Sequence, residues 1–528
     1  MRAPLLILPA LAALMVVAPM VVAPIGADSG ARAATLLAPP PAQAPSPAAA
    51  PPLSLADAAA IAAALAEGAR QGLPEPQAAG WVAALSGNDP AAKAAAEQAL
   101  SAAAVRLAGQ QHGLGVDPAA IDDDFALSAP YDPAAAFDAV RRAGQVAAWA
   151  AALAPAGPAY QPLVAARQRY AAIVAAGGWG EVGAGATPKL GGADKRVPAL
   201  RARLAAEGFV APLATPEPVK PKPGKRGPGK RAPGKRAPAR ADVFDAALAA
   251  QLRAFQATHG VAASGRLDAA TLAALNVPAA QRLAALDANL ERERWLPHDL
   301  PAERIEVDTG GPTATLYQAG APVLAMRAVV GQPTKKTPTF ASTVTGVVFN
   351  PPWNVPADIA RKELYPKGRG YLASHGYYVK NGQLVQRAGA RSALGYVKFE
   401  MPDPFVVYLH DTPSRSLFKR DARWLSHGCV RLEQPRELAA ALLAPQGWDR
   451  DAVDAAIAAR ATRYVALQVQ PPVYVVYRTV VTTEDGQAAF RADVYGWDAH
   501  LQGRPGEGSL PDILEDRPGT SHRRAVTP

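Results

Sequence analysis

Hydrophobic residues change their spacing near residue 304, and this change divides the chain into a helical part and a strand-rich part. Residues 55–113 are Ala-rich with Leu and Val at helical spacing, and similar patterns predict further helices around 134–153 and 160–176. From residue 304 onward, β-branched and aromatic residues alternate with polar ones, which predicts short strands. The pattern therefore predicts an α+β protein with a helical N-terminal half.

Six segments of the C-terminal part have the alternation of half-buried strands: 306–308, 313–317, 323–330, 342–349, 405–409 and 464–469. Residues 354–395 break this pattern and form an irregular insert, and 435–443 have the spacing of a helix. After Pro472, two apolar runs flank Asp485-Gly486, a strong turn signal, and predict a C-terminal β-hairpin over 471–500. Residues 501–528 are polar, and we expect a disordered tail.

A compact helical unit is predicted between the two parts. Four apolar residues fall on one face of its first helix: Phe244, Leu248, Leu252 and Phe255. A turn through Ser264-Gly265 leads to Asp268, which has the side chain of a helix N-cap. We expect this unit to span 241–279 and a connector helix to follow over 280–302.

Length and composition indicate several domains joined by unfolded segments. The chain has 528 residues, and its 52 Pro amount to about twice the usual share. Residues 34–53 are Ala/Pro-rich and expected to be disordered. Asp122, Asp123 and Asp124 stand in a row, which favours a solvated turn over a cation site.

The net charge of +10 is concentrated in one segment. Residues 215–240 hold nine Lys or Arg against one Glu and are rich in Pro, so they are expected to form an extended linker. Because no aromatic residue interrupts it to stack on bases, no nucleic-acid partner is expected. We interpret this segment as a solvated spacer, with binding to anionic envelope polymers as the alternative.

The N-terminus has the order of a secretory signal peptide. Arg2 precedes an apolar stretch over 5–22, and small residues at Ala31 and Ala33 suit a cleavage site. Pro9 and Pro19 would break a membrane-spanning helix, so cleavage after residues 1–33 is favoured over a retained anchor. The sequence thus predicts a protein exported to the periplasm.

The chemistry of the chain centres on its single Cys, Cys429. One Cys excludes an internal disulfide framework, a CxxC redox pair and any multi-Cys metal site, and we expect no metal or other cofactor. Gly428 allows tight backbone geometry, and the neighbouring His427 and Arg431 are expected to lower the pKa of the thiol. His410 follows the predicted strand 405–409, where a general base is held rigidly.

These residues suit nucleophilic acyl transfer. Cys429 would attack a carbonyl, a histidine would take the thiol proton, and the amides of Gly428 and Cys429 would hold the oxyanion. The residues alone leave both His410 and His427 open as the base. A zinc hydrolase is disfavoured, because the sequence has no HExxH motif.

The Ser-His-Gly-Cys run at 426–429, with His410 upstream, resembles the signature of the L,D-transpeptidase (YkuD-like) family. The resemblance implies that Cys429 is the nucleophile, His410 its proton donor and acceptor, and the Gly428 backbone part of the oxyanion hole. Ser426 and His427 are then supporting positions of the motif.

Three further residues are candidates for substrate binding: Arg431, Tyr408 and Trp424. Arg431 stands where that family often has Asn. Tyr408 and Trp424 suit a pocket wall and interior packing equally well.

Other segments resemble the larger YcbB-type branch of that family, namely 350–356, 391–395 and 409–413. Residues 255–261 and 271–276 resemble the peptidoglycan-binding domain 1 family. The resemblances imply a helical scaffold over 54–214, a small three-helix wall-binding module and a mostly β catalytic domain over 303–470. The insert 354–395 would be a capping subdomain over the site.

The function implied is that of a monomeric peptidoglycan L,D-transpeptidase and carbapenem target. It would form 3→3 cross-links between stem peptides through a Cys429 thioester, releasing the terminal D-Ala. Two alternatives stay open. The same acyl-enzyme could serve another acceptor (a lipoprotein lysine, a D-amino acid or water), or the chain could be a non-catalytic cell-wall tether.

Overall fold

The computed structural model describes residues 50–74, 76–210 and 241–501. The predicted signal peptide, the basic linker 215–240, nearly all of the Ala/Pro segment 34–53 and the tail after residue 501 lie outside these residues. Within the described ranges, no helix is both long and apolar enough to cross a membrane.

The N-terminal part is a set of helices: Leu55–Arg70, Ala78–Ser86, Pro90–Gln111, Pro118–Ile121, Pro133–Ala143, Val146–Ala151 and Tyr160–Ala175. Local signals set where they begin. Ser54 and Asp57 form a capping box on the first helix, and Asp89 and Asp132 cap helices that start with Pro. Ile61 and Leu107 pack in the core that these helices share.

The compact helical module predicted at 241–279 takes a third helix from before the basic linker. Helices Ala246–Thr258 and Ala269–Leu275 share one core with the earlier helix Val197–Ala206. The predicted helical scaffold, 54–214, thus contains residues that pack into this module, among them Val182, Leu200 and Phe209, whereas its predicted end at residue 214 lies outside the described residues. Spacing along a helix reveals its apolar face, but it does not reveal which helix covers that face.

A buried polar cluster ties this module to the scaffold. The carboxylate of Glu207 accepts hydrogen bonds from Tyr170 Oη and Arg203 Nη1, both at 2.7 Å. His259 Nε2 lies 3.3 Å from the same carboxylate. The long helix Ala279–Arg294 follows the module and packs through Leu286 on the scaffold helix of Tyr170.

Twelve strands form the central sheet of the C-terminal part. Eleven of them lie in this spatial order: Phe125–Ala126, Thr339–Thr343, Pro472–Val476, Arg304–Asp308, Thr313–Gln318, Ala321–Gly331, Val430–Leu432, Leu409–His410, Val397–Glu400, Gly346–Phe349 and Arg463–Ala466. The twelfth, Trp424–Ser426, pairs with Ala321–Gly331. Helices Pro435–Leu443 and Arg450–Ala458 contribute Leu438 and Val453 to the sheet's core. Short 3₁₀ turns occur at Arg415–Lys419 and Ala444–Gln446.

Three predicted strands are shorter than the sequence pattern indicates, and one of them, 464–469, already ends at Ala466. Segment 342–349 is interrupted after Thr343. Of segment 405–409, only Leu409 belongs to a strand, Leu409–His410. Asp403 Oδ1 accepts the backbone N–H groups of Phe405 and Val407, at 2.8 and 3.0 Å, so these donors are not available to a sheet. The prediction of a strand over 405–409 is therefore wrong for its first four residues.

The predicted hairpin over 471–500 also needs correction. Pro472–Val476 runs parallel to Arg304–Asp308 inside the central sheet. The hairpin itself consists of Val480–Thr482 and Ala488–Phe490, and a short helix, Trp497–Leu501, follows it. The run after Pro472 is almost wholly apolar because it is buried in a sheet, which the turn signal cannot reveal.

The insert is a small folded subdomain. It has a three-stranded sheet in the order Trp353–Asn354, Gln383–Gln386 and Tyr377–Lys380. Its helical part comprises Ala357–Ile359, a π-helical turn at Ala360–Leu364, a 3₁₀ turn at Tyr365–Lys367 and the helix Gly368–Ser374. Val355, Leu364 and Leu384 belong to a core of its own.

Candidate active site

Three neighbouring strands place Lys398, His410 and Arg431 side by side. His410 is in register with Lys398 on one side and with Arg431 on the other. The next residues along these strands, such as Leu409 and Val430, are buried in the sheet's core. Because side chains alternate along a strand, the three polar side chains lie on the opposite face of the sheet.

Cys429 immediately precedes the strand Val430–Leu432 and is partly buried. The backbone N–H of Val430 donates to the Tyr408 carbonyl at 3.1 Å, which places Tyr408 beside the loop that carries Cys429. Burial raises the pKa of the Cys429 thiol, and hydrogen bonds from the backbone and hydroxyl of Tyr408 oppose this without reversing it. The expectation that cationic neighbours lower this pKa is therefore wrong, because loss of hydration outweighs them.

His410 is held as a neutral imidazole. His410 is only 4% exposed, and its Nδ1 donates to the Asp411 carbonyl at 2.5 Å. Burial most of all, together with the charges of Arg431 and Lys398, lowers its pKa to about 3, although the hydrogen bond to the Asp411 backbone opposes this shift. Because Nδ1 carries the proton, Nε2 is the nitrogen that can accept one.

Ser426 closes the turn that carries Cys429. Its hydroxyl donates to the Cys429 carbonyl at 2.6 Å and accepts from the Gly428 N–H at 3.2 Å. Gly428 has φ +115°, a conformation that a side chain disfavours. Of the two amides predicted for an oxyanion hole, that of Gly428 is thus engaged, whereas the Cys429 N–H has no acceptor in the described part of the chain.

His427 is exposed and contacts the insert. Its Nε2 lies 2.6 Å from Glu363 Oε1, and Lys335 Nζ approaches the same oxygen at 3.5 Å. Partial burial raises the pKa of Glu363, but His427 and Lys335 outweigh this, so the pKa lies below its ordinary value. Of the two candidate bases, only His410 shares the strand register of the Cys429 loop.

A cavity of about 300 Å³ adjoins the site. It is bounded by Trp353 and Asn354 of the insert and by Lys398 and Tyr408 of the sheet. Trp424, the other aromatic candidate, does not line this cavity. Its Nε1 donates to the Thr309 carbonyl at 2.8 Å, and its ring packs against the core.

Sequence reasoning missed Lys398 and Glu363. Lys398 alternates with buried Val397 and Phe399, so the strand pattern could have identified the face on which it lies. Glu363 lies in the insert, where no periodicity indicates a contact with His427. Among the residues that the structure describes, no group of three or more His, Cys, Asp or Glu could hold a metal ion.

Three segments match known families. Residues 302–475 match the L,D-transpeptidase catalytic domain (YkuD), and residues 53–166 match a scaffold domain. Residues 232–275 match a family described as "Putative peptidoglycan binding domain". The resemblances to the L,D-transpeptidase family and to the peptidoglycan-binding domain 1 family are confirmed, as is the α+β class.

Relatives and solved structures carry the same description. A "Putative L,D-transpeptidase" of Haemophilus influenzae is 34% identical over 208 residues, which are 35% of this chain and 42% of that protein. The chain thus spans less than half the length of this curated relative.

Two solved structures are an L,D-transpeptidase from Mycobacterium smegmatis and L,D-transpeptidase 3 from Mycobacterium tuberculosis in complex with a faropenem-derived adduct. Each is 17% identical with a TM-score of 0.19, covering 33% of this chain and 58% or 60% of its own. From the family matches, the chain contains an L,D-transpeptidase catalytic domain, a scaffold domain and a peptidoglycan-binding module.

Proposed function

We propose that this chain is a peptidoglycan L,D-transpeptidase that forms 3→3 cross-links through a thioester on Cys429. One observation carries the proposal. Within a segment that matches the L,D-transpeptidase catalytic domain, Cys429 immediately precedes a strand that pairs with the strand of His410, whose imidazole is neutral. This pair is what acyl transfer by a cysteine requires.

The first half-reaction begins from an uncharged pair. Cys429 Sγ attacks the carbonyl of the third, diamino residue of a donor tetrapeptide as its proton passes to His410 Nε2. The Cys429 N–H donates to the oxyanion that forms, and such a donor contributes about 3–4 kcal/mol. The C–N bond then breaks, the leaving D-Ala amine takes the proton from His410, and a thioester remains.

The second half-reaction uses the same groups in reverse. The side-chain amine of an acceptor stem attacks the thioester and loses a proton to His410. The tetrahedral intermediate expels the thiolate, which takes that proton back as the new amide forms. A positioned acid–base group of this kind accounts for about 10²–10⁴ in rate.

Two cations suit the anionic stem peptide. The guanidinium of Arg431 makes no ion pair or hydrogen bond within the described residues, and burial lowers its pKa, so a substrate carboxylate would give this charge a partner. Lys398 is paired with Glu400 at 2.9 Å and lies 4.4 Å from the centre of the Tyr408 ring. We assign Tyr408 to the wall of the donor site and Trp424 to interior packing.

The acceptor and the cellular setting are part of the proposal. A wall-binding module beside the catalytic domain supports an envelope location and peptidoglycan as substrate. Export through residues 1–33, a monomeric state and contact of linker 215–240 with anionic polymers are retained as predictions. Transfer to water, to a lipoprotein lysine or to a D-amino acid stays the alternative, because no described residue selects the acceptor. A non-catalytic tether is disfavoured by the Cys429–His410 arrangement.

Intact-protein mass after exposure to a disaccharide-tetrapeptide or a carbapenem tests the proposal. Wild type should gain one acyl group and Cys429→Ala none, since no other described thiol exists. Muropeptides from cells making each form should contain 3→3 dimers only with wild type. An adduct that persists in Cys429→Ala would contradict the assigned nucleophile, and an acylated enzyme that produces no dimers would favour another acceptor.

A further inference from the structure

The turn between strands Ala321–Gly331 and Thr339–Thr343 lies directly against the nucleophile loop. Thr337, near the end of this turn, is 0% exposed. Its Oγ1 donates to the Gly428 carbonyl at 2.6 Å and accepts from the Gly331 N–H at 2.8 Å. The hydroxyl therefore connects the strand before the turn to the residue that precedes Cys429.

This contact decides where the Cys429 N–H points. The Gly428–Cys429 peptide is trans, so its C=O and N–H point in opposite directions. When Thr337 holds the carbonyl, the N–H is directed to the other side of the peptide. That N–H has no acceptor among the described residues and remains free for a ligand oxygen.

Glycine makes such an anchor necessary. Gly428 has φ +115°, and a Cβ placed there would meet only the Lys336 carbonyl oxygen, at 3.4 Å. Because Gly tolerates a broad range of φ, local sterics do not hold this peptide plane in one orientation. The plane needs a hydrogen bond from outside the loop, and Thr337 supplies it.

The turn that carries Thr337 is itself held by distant parts of the chain. Tyr495 Oη donates to the Gly331 carbonyl at 2.7 Å and accepts from the Thr337 N–H at 3.3 Å. Lys336 Nζ lies 2.9 Å from Asp122 Oδ2 in the scaffold. An added Cβ at Gly331 would lie 2.3 Å from the Lys335 carbonyl, so the turn closes tightly on that glycine.

We propose that Thr337 is a positioning residue for acyl transfer. Its hydroxyl orients the Gly428–Cys429 peptide so that the Cys429 N–H meets the oxyanion. The inference rests on the proposed function, because an oxyanion forms only if Cys429 is acylated. Thr337 does not touch the reacting atoms and acts through the peptide that it holds.

The test compares two reactions of the same thiol. Acylation by a carbapenem passes through an oxyanion, whereas alkylation by iodoacetamide does not. Thr337→Val keeps the shape of the side chain and removes the hydroxyl. We expect the rate of carbapenem acylation, measured by intact-protein mass over time, to fall by about 10–100-fold. This is part of the rate loss seen when an oxyanion donor is removed. Alkylation by iodoacetamide should change less than about twofold, since it needs no oxyanion donor.

Two variants act as controls. Thr337→Ser retains the hydroxyl and should restore most of the acylation rate. Thr339→Val changes a threonine that is 1% exposed and whose Oγ1 has no partner within the described residues, so both reactions should match wild type. If Thr337→Val does not fold, Tyr495→Phe removes the hydroxyl that supports the turn and keeps the ring stack with Tyr477. It should slow acylation several-fold and leave alkylation unchanged.

Three results would overturn the inference while leaving the proposed function intact. The first is a Thr337→Val variant that is acylated at the wild-type rate. The second is a Thr337→Val variant in which acylation and alkylation slow to the same extent. The third is a Thr337→Ser variant that is acylated no faster than Thr337→Val. If wild type is alkylated by iodoacetamide but acquires no acyl group, the proposed function fails, and this inference fails with it.

Discussion

Cys429 is partly buried and His410 is buried, and this burial determines their protonation states. Burial raises the pKa of the thiol and lowers that of the imidazole to about 3. Both changes favour the uncharged forms, so the resting site holds a thiol and a neutral imidazole. In the proposed reaction, the thiolate would form only as a carbonyl is attacked, and His410 Nε2 would accept its proton.

The pH dependence of alkylation measures this state. Since the thiol pKa lies above its ordinary value, the rate with iodoacetamide should keep rising beyond about pH 8.5 and fall steadily towards pH 5. His410→Asn should leave the shape of this curve unchanged, because the imidazole carries no charge to stabilise a thiolate. A rate that stays level down to pH 6 in wild type, and is lost in His410→Asn, would reveal a thiolate–imidazolium pair instead.

Gly428 is the position where backbone conformation restricts the residue type. We expect Gly428→Ala to destabilise the fold by about 1–3 kcal/mol, since its φ of +115° is strained for any side chain. Urea unfolding measures this difference. Gly180→Ala is the control, because φ is not positive there and an added Cβ meets nothing within 4 Å. Equal stability of the two variants would show that the turn relaxes without cost.

At the scale of elements, polar contacts connect the insert to the loop that carries Cys429. Glu363 of the insert lies against both His427 of the nucleophile loop and Lys335 of the neighbouring turn. The insert has its own apolar core around Val355 and Leu384, so these contacts hold its position more than its fold. Ion pairs exposed to this degree contribute about 0–1 kcal/mol each.

Glu363→Gln tests whether the contacts of Glu363 with His427 and Lys335 hold the insert in position. We expect the free energy of unfolding to change by less than about 1 kcal/mol, while amide hydrogen exchange across residues 357–374 becomes faster. Glu437→Gln removes the partner of Arg450, outside the insert, and should not alter exchange in 357–374. Unchanged exchange in Glu363→Gln would show that apolar packing alone holds the insert.

At the scale of the whole molecule, the scaffold and the catalytic sheet are joined directly. The scaffold strand Phe125–Ala126 pairs with Thr339–Thr343 at the sheet's edge. Asp122 accepts from Lys336 Nζ at 2.9 Å and from Trp497 Nε1 at 2.8 Å. The expectation of a solvated acidic turn is therefore wrong for Asp122, although it describes the exposed Asp123.

Asp122→Ala should destabilise the protein by about 1–3 kcal/mol, because it leaves the indole N–H of Trp497 and the Lys336 ammonium without their carboxylate partner. Asp123→Ala should be close to neutral. Urea unfolding of the two variants measures the difference. If they have equal stability, the scaffold contact at Asp122 contributes nothing to the fold.

Prediction from sequence succeeded where the determining interactions are local. The change of spacing near residue 304 marks the start of the first central strand after the helices, Arg304–Asp308, because side-chain alternation is a property of a few consecutive residues. It failed at 405–409, where the side chain of Asp403 takes the backbone donors. It also did not reveal that helix Val197–Ala206 packs against helices that lie beyond the basic linker.

The sequence by itself determined the α+β class, the motif around Cys429 and the position of His410 at the end of a predicted strand. These depend on residue type and short spacing. Only the tertiary structure decided that the thiol and His410 are uncharged, that His427 faces the insert, and that Thr337 holds the Gly428 carbonyl. Side chains lose their hydration only when distant segments pack together. The same holds for contacts such as that between Thr337 and Gly428, which are 91 residues apart in sequence.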